Sequence, residues 1–136
     1  MAVPQDRPLT LPQVAEAAGV EYRTLHTWLQ RGLLEPSIQV STGKGTPNLF
    51  SFQDALKARI LGHLRSEGIN LELVEKTARG LQGVPELELG DTLIVNGKVS
   101  VLKRDEDLDA AIEEAMPSLI YRISWAQKAL AGVTLK

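Results

Sequence analysis

The chain has no cysteine and only two histidines among its 136 residues. Without cysteine there are no disulfides and no thiolate metal site. With so few imidazoles, no nucleophile elbow and no metal-ligand spacing, the sequence offers no catalytic residue and calls for no cofactor. His63 reads as a partly buried helix residue, not a ligand. Aromatics are scarce, with two each of Trp, Tyr and Phe. No apolar run approaches the ~18 residues of a membrane helix, and the opening MAVPQDRPLT lacks an apolar signal core. The expectation is a cytoplasmic protein with no membrane span. A strong charge of either sign is also missing, since 15 basic and 17 acidic residues leave a net charge of −2. The rest is ordinary globular composition, 43% hydrophobic and 24% charged, in a length that holds one domain or two small ones.

Two tempting chemical motifs fail on inspection. GKGT at Gly43 to Thr46 has a lysine before a glycine, but the glycine five residues earlier is missing and Pro47 interrupts the segment, so it is not a nucleotide loop. The acidic cluster Asp105, Glu106, Asp107 and Asp109 sits at a predicted helix start, where acids meet the helix dipole favourably.

What is present centres on Thr10 to Leu34, TLPQVAEAAGVEYRTLHTWLQRGLL. Thr10 is a good N-cap, and Gln13 three residues on can close a capping box. Val14, Ala17 and Ala18 give the first helix an apolar stripe. Gly19 supplies the backbone freedom for a sharp turn. A second helix is expected from about Tyr22 to Arg31, with Leu25, Trp28 and Leu29 on one face and Gly32 at its C-terminal cap. Two short helices joined this tightly make a helix-turn-helix outline, whose second helix can enter a DNA major groove. Tyr22, Arg23, Thr24, His26 and Thr27 crowd hydrogen-bonding groups into its first turns, the part that meets base edges and phosphates.

The remaining elements follow in order. Residues 1–9 read as a loose arm, with Arg7 the only DNA-contact candidate there. Pro36 forbids helical continuation. Ile38 and Val40 alternate with polar residues as in a strand, residues 41–47 form a turn-rich tip, and Leu49-Phe50 restart an apolar segment; strand, tip and strand make a wing. Lys44 at the tip is a phosphate contact or a solvated charge, with equal weight. Ser51 caps a helix to Glu67, with Asp54 at capping-box distance and Ala55, Leu56, Ile60 and Leu64 as its buried stripe. Lys57 and Arg59 read as its solvated face. Asn70 caps a further helix with Leu71, Val74, Ala78 and Leu81 inward. QGVPELELG, residues 82–90, has the composition of a hinge. Asn96-Gly97 between two β-rich runs signals a hairpin near 92–95 and 98–102. A helix is expected after Asp105, broken at Pro117. Residues 119–124 suit either strand or helix, with a strand the preferred reading, and a short helix to about 131. Tyr121 and Trp125 suit core packing or a dimer seam.

Charge is uneven along the chain. Residues 1–66 carry seven Lys/Arg against five acids, and residues 67–136 carry eight against twelve. A mildly basic first half and an acidic second half fit a binding module with an appendage. The basic field is weak, which argues for a dimer or an assisting partner, because phosphate neutralisation supplies much of DNA affinity.

The run GVEYRTLHTWLQRGLLEP, a polar loop, then NLFSFQDALKARILGHLRSEGINLELV resembles the DNA-binding domain of MerR-type regulators. Thr24-Leu25, Trp28, Arg31-Gly32-Leu33-Leu34, Pro36, Phe50, Asp54, Leu64, Gly68 and Leu71 fall in that family's order, over roughly residues 9–81. The chain departs from the pattern at His26 and Asn48, where members usually carry Arg, and at Thr27, where they usually carry an aromatic. The resemblance implies a winged helix-turn-helix with a second helix pair over residues 1–81; with the linker read from composition at 82–91 and the hairpin-helix module read from patterning at 92–136, the expected fold is α+β, mainly α. The resemblance also implies sequence-specific binding of double-stranded DNA and transcriptional regulation by a homodimer, with RNA polymerase or another protein as a further partner. The implied DNA-binding residues are Tyr22, Arg23, Thr24, His26, Thr27, Trp28, Arg31, Lys44 and Asn48. Metal-sensing members generally bind through cysteine, so heavy-metal sensing is not expected. Two other readings stay open: an adaptor or antitoxin that keeps a DNA-binding fold, and an excisionase-like recombination accessory protein.

Overall fold

A computed structural model describes residues 7–43, 45–84, 86–87, 91–95, 99–103, 119–122 and 125. Four helices and three short strands follow in order: α1 (Leu11–Ala18), α2 (Tyr22–Gln30), α3 (Phe52–Ser66), α4 (Leu71–Gln82), β1 (Thr92–Val95), β2 (Val99–Leu102) and β3 (Leu119–Arg122). The described part is mainly helical.

Local caps start the helices where the sequence places them. Thr10 and Gln13 close a capping box on α1, the Thr10 N–H donating to Gln13 Oε1 at 3.0 Å and the Gln13 N–H to Thr10 Oγ1 at 3.4 Å. Ser51 and Asp54 do the same for α3, and the Asn70 side chain accepts from the Leu73 N–H to start α4. Gly19 ends α1 at φ +71°, the left-handed backbone that turns the chain into α2.

The core is built around α3. Its positions are buried on several sides, including Ala55, Leu56, Ala58, Ile60, Leu61 and Leu64, as expected for a helix with neighbours all round. Helix α1 lies against it at very short range. A Cβ on Gly62 would stand 2.6 Å from the Ala18 carbonyl oxygen, so only glycine allows this approach. Helix α4 contributes Val74, Ala78 and Leu81 to the same core. Leu71 differs from expectation: it is 41% exposed, because Thr77 and Val74 turn the buried stripe away from the first residue of α4.

Two cations on α3 also differ from the solvated face expected of them. Arg59 Nη1 donates to the Ala17 carbonyl at the end of α1, where a cation meets the negative end of the helix dipole. Lys57 is half-buried and its Nζ donates to the Val84 carbonyl beyond α4. One turn earlier, Gln53 exchanges two hydrogen bonds with the Leu87 backbone, at 3.1 and 2.8 Å. The segment after α4 is thus fastened along α3, with Leu87 buried.

The three strands form an antiparallel sheet in the order β2-β1-β3, with Leu93 opposite Val101 on one side and Tyr121 on the other. Leu93, Val95 and Tyr121 join the main core. The Asn96-Gly97 turn, the helix expected after Asp105 and the helix expected to 131 lie outside the described residues, as does Lys44. No helix among the described residues is long and apolar enough to cross a membrane.

Candidate nucleic-acid interface

Helix α2 has two unlike sides. Leu25 and Trp28 are buried, at 0% and 3% exposure, and fix the helix to the core. Tyr22, Arg23, His26 and Thr27 are exposed, and Thr24 is half-buried. The Tyr22 and His26 rings stack one turn apart, with centroids 6.1 Å apart and planes 28° apart. Thr27 Oγ1 donates to the Arg23 carbonyl at 3.1 Å, which directs its hydroxyl back onto the helix. The helix starts after Glu21, whose side chain makes no capping hydrogen bond. Its first N–H groups thus lack the side-chain cap that Thr10, Ser51 and Asn70 give the other helices.

Two implied contact residues also make contacts within the protein. Trp28 is 3% exposed, so nearly all of its indole packs in the core. The apolar spacing Leu25–Trp28–Leu29 was the signal for that burial. Arg31 forms an ion pair with Glu75 of α4, while its side chain stays 46% exposed. That bond ties the end of α2 to α4 and leaves part of the guanidinium at the surface.

The wing is an irregular loop, not a pair of strands. Isolated bridges join Gln39 to Leu49 and Gly43 to Thr46. The Gln39 side chain donates to the Pro47 carbonyl at 2.8 Å, and Asn48 Oδ1 accepts from the Ser41 N–H at 2.7 Å. Asn48 therefore braces the wing from within. Ile38 and Val40 are 51% and 62% exposed. Between them Gln39 is half-buried.

The root of the wing is held by a residue whose long-range role sequence reasoning missed. Asp54 is 6% exposed, and its Oδ2 accepts from the Ser51 N–H, the Ser37 N–H at 2.9 Å and the Ser37 hydroxyl at 2.6 Å. One carboxylate thus caps α3 and anchors the loop. A second tie comes from Leu9 and Phe50, which bond backbone to backbone at 2.8 Å both ways. Among the described residues no group of His, Asp or Glu is placed to hold a metal ion.

The order of these parts, helix-turn-helix, braced loop, then a second helix pair, agrees with one family. The model for the MerR HTH family of regulatory proteins matches residues 9–81, more than half of the chain. The chain belongs to the MerR HTH family. Relatives include uncharacterized HTH-type transcriptional regulators of Mycobacterium bovis and Mycobacterium tuberculosis. Each is 32% identical over 83 residues, covering 57% of this chain and 37% of the relative. The chain thus spans little more than a third of the length of these relatives. In this MerR-family chain the matched region ends at Leu81, so the strands β1 to β3 lie beyond it.

Proposed function

We propose that this MerR-family chain binds double-stranded DNA sequence-specifically and regulates transcription. The observation that carries the reading is the two-sided α2, anchored by Leu25 and Trp28 and offering Tyr22, Arg23, His26 and Thr27 to solvent at an uncapped helix start. In this reading α2 enters the major groove, with Arg23 and His26 at bases or phosphates. The wing, through Asn48 and Lys44, lies on the flanking backbone. The protein works as a homodimer on an inverted repeat, because a single protomer has few cations and a second doubles the phosphate contacts. Residues 92–136 form a hairpin-helix module that follows a linker at 82–91 and supplies the dimer contact. RNA polymerase or another protein is the further partner, in the cytoplasm, and the protein performs no catalysis.

The test is selection of bound fragments from a genomic library, followed by fluorescence anisotropy and light scattering on the selected site. A discrete palindromic site bound two protomers at a time supports the reading. Arg23→Ala should weaken binding by about 5- to 150-fold, the cost of ~1–3 kcal/mol for a lost specific contact. No DNA binding, or binding without a preferred sequence, would overturn it.

A further inference from the structure

Thr27 stands among the hydrogen-bonding residues of α2, yet its hydroxyl is turned away from an incoming surface. Oγ1 donates to the Arg23 carbonyl one turn back, at 3.1 Å. A threonine bonded to its own helix in this way has committed its single hydroxyl proton. The group such a side chain still offers is its γ-methyl, and Thr27 is exposed.

Its place on the helix is central. At ~100° per residue, Arg23 and Thr27 each stand about 160° from Leu25, one on either side of the line opposite it. Leu25 is the fully buried residue that fixes α2 to the core. The stacked Tyr22 and His26 rings lie to one side of that line. Arg23 and Thr27 therefore occupy the middle of the outward face, the part that approaches the groove floor when a helix lies in the major groove.

We propose that Thr27 reads thymine, packing its γ-methyl on the 5-methyl group of one thymine in each half-site. This rests on the DNA-binding reading of α2 and adds to it the base that one position recognises.

The chemistry of the groove selects that base. Thymine carries the one alkyl group among the major-groove edges, while the other bases present N7, O6 or amino groups. A methyl with no proton to donate would strip water from those polar edges without replacing the lost hydrogen bond. A free hydroxyl, by contrast, serves either donors or acceptors and discriminates poorly. The bond to the Arg23 carbonyl thus converts a permissive side chain into a selective one.

The test uses the duplex selected from the genomic library, remade with each thymine in turn replaced by deoxyuridine, which removes the methyl alone. Binding by the whole chain is followed by fluorescence anisotropy. At one thymine per half-site the affinity should fall about 4-fold, the worth of one buried methyl group. Thr27→Ser keeps the hydroxyl. It should bind the thymine duplex about 4-fold more weakly and no longer distinguish it from the deoxyuridine duplex. Thr27→Val keeps the methyl, and should bind as tightly as the parent chain with the same discrimination. Both changes fall at an exposed position, and circular dichroism checks that the fold is kept. A site at which no deoxyuridine weakens the parent chain overturns the proposal. So does a methyl effect that Thr27→Ser leaves unchanged, which assigns the contact to another residue. So does a loss of affinity in Thr27→Val that Thr27→Ser does not share, which assigns it to the hydroxyl. Each of these leaves α2 as a sequence-specific reader, whereas failure to select any site overturns the DNA-binding reading and this proposal with it.

Discussion

At the scale of single residues, a few side chains carry more than one duty. Asp54 caps α3 and holds Ser37 at the root of the wing, all through one buried oxygen. Replacing it by alanine removes a cap and leaves the donors of Ser37 and Ser51 without their acceptor. Asp54→Ala should lower stability by about 1–3 kcal/mol, from a lost cap and lost hydrogen bonds to a charged acceptor, read as a reduced urea midpoint. Asp54→Asn keeps an acceptor oxygen and should lose less. Trp28 is the other case. Its spacing with Leu25 marks the buried side of α2, and at 3% exposure it is a core residue. Trp28→Ala should cost about 3–5 kcal/mol of stability, measured by chemical denaturation. A stable variant that had lost only DNA affinity would restore the contact role that the sequence resemblance implies.

At the scale of elements, helix starts were legible because their determinants are close in sequence. Thr10 with Gln13, Ser51 with Asp54, and Asn70 with the Leu73 N–H each act across three residues. The wing was legible only as a loop with a tip. Alternation of Ile38 and Val40 suggests a strand, but periodicity does not say which side is covered, and here the apolar side is the open one. The α1–α3 crossing was not legible either. Nothing local marks Gly62 as the contact, since a glycine inside a helix reads only as a weak position. Gly62→Ala should destabilise the protein by about 1–3 kcal/mol, because the clash with the Ala18 carbonyl outweighs the ~1 kcal/mol gain in helix propensity. Thermal melting of the variant beside Gly68→Ala, where a Cβ meets nothing within 4 Å but φ is +84°, separates close packing from backbone strain. The packing origin predicts that Gly62→Val is much worse than Gly62→Ala.

At the scale of the molecule, the sheet is joined to the helical part by an aromatic contact. The Tyr121 hydroxyl lies 2.9 Å from His63 Nδ1 of α3, and the two rings meet edge to face at 5.4 Å. Trp125 stands edge-on to Tyr121 at 5.3 Å and is 47% exposed. Burial pushes the Tyr121 phenol up from its ordinary value to about 12, against the pull of the Arg59 charge. The unfolded chain ionises this phenol near pH ~10, so above that value the unfolded state has released a proton that the folded state retains. Stability is fully present below pH ~10 and is lost as pH rises towards 12. Urea midpoints measured between pH 9 and 12 should therefore fall, and Tyr121→Phe should flatten that fall while costing ~1 kcal/mol at neutral pH for the missing hydrogen bond. An unchanged alkaline slope in Tyr121→Phe would assign the fall to other groups.

The sequence by itself determined the helix-turn-helix, the caps of α1, α3 and α4, the hydrogen-bonding face of α2 and the family order over residues 9–81, since these depend on spacings of a few residues. Only the tertiary structure decided that Lys57 and Arg59 face carbonyls of other segments, that Asp54 holds the wing, that Trp28 is enclosed, and that His63 meets Tyr121. Those contacts join residues 17 to 58 positions apart in the chain. A spacing of three or four residues is set by the geometry of one helix, whereas a partner so distant is chosen by how whole helices and strands come together to exclude water.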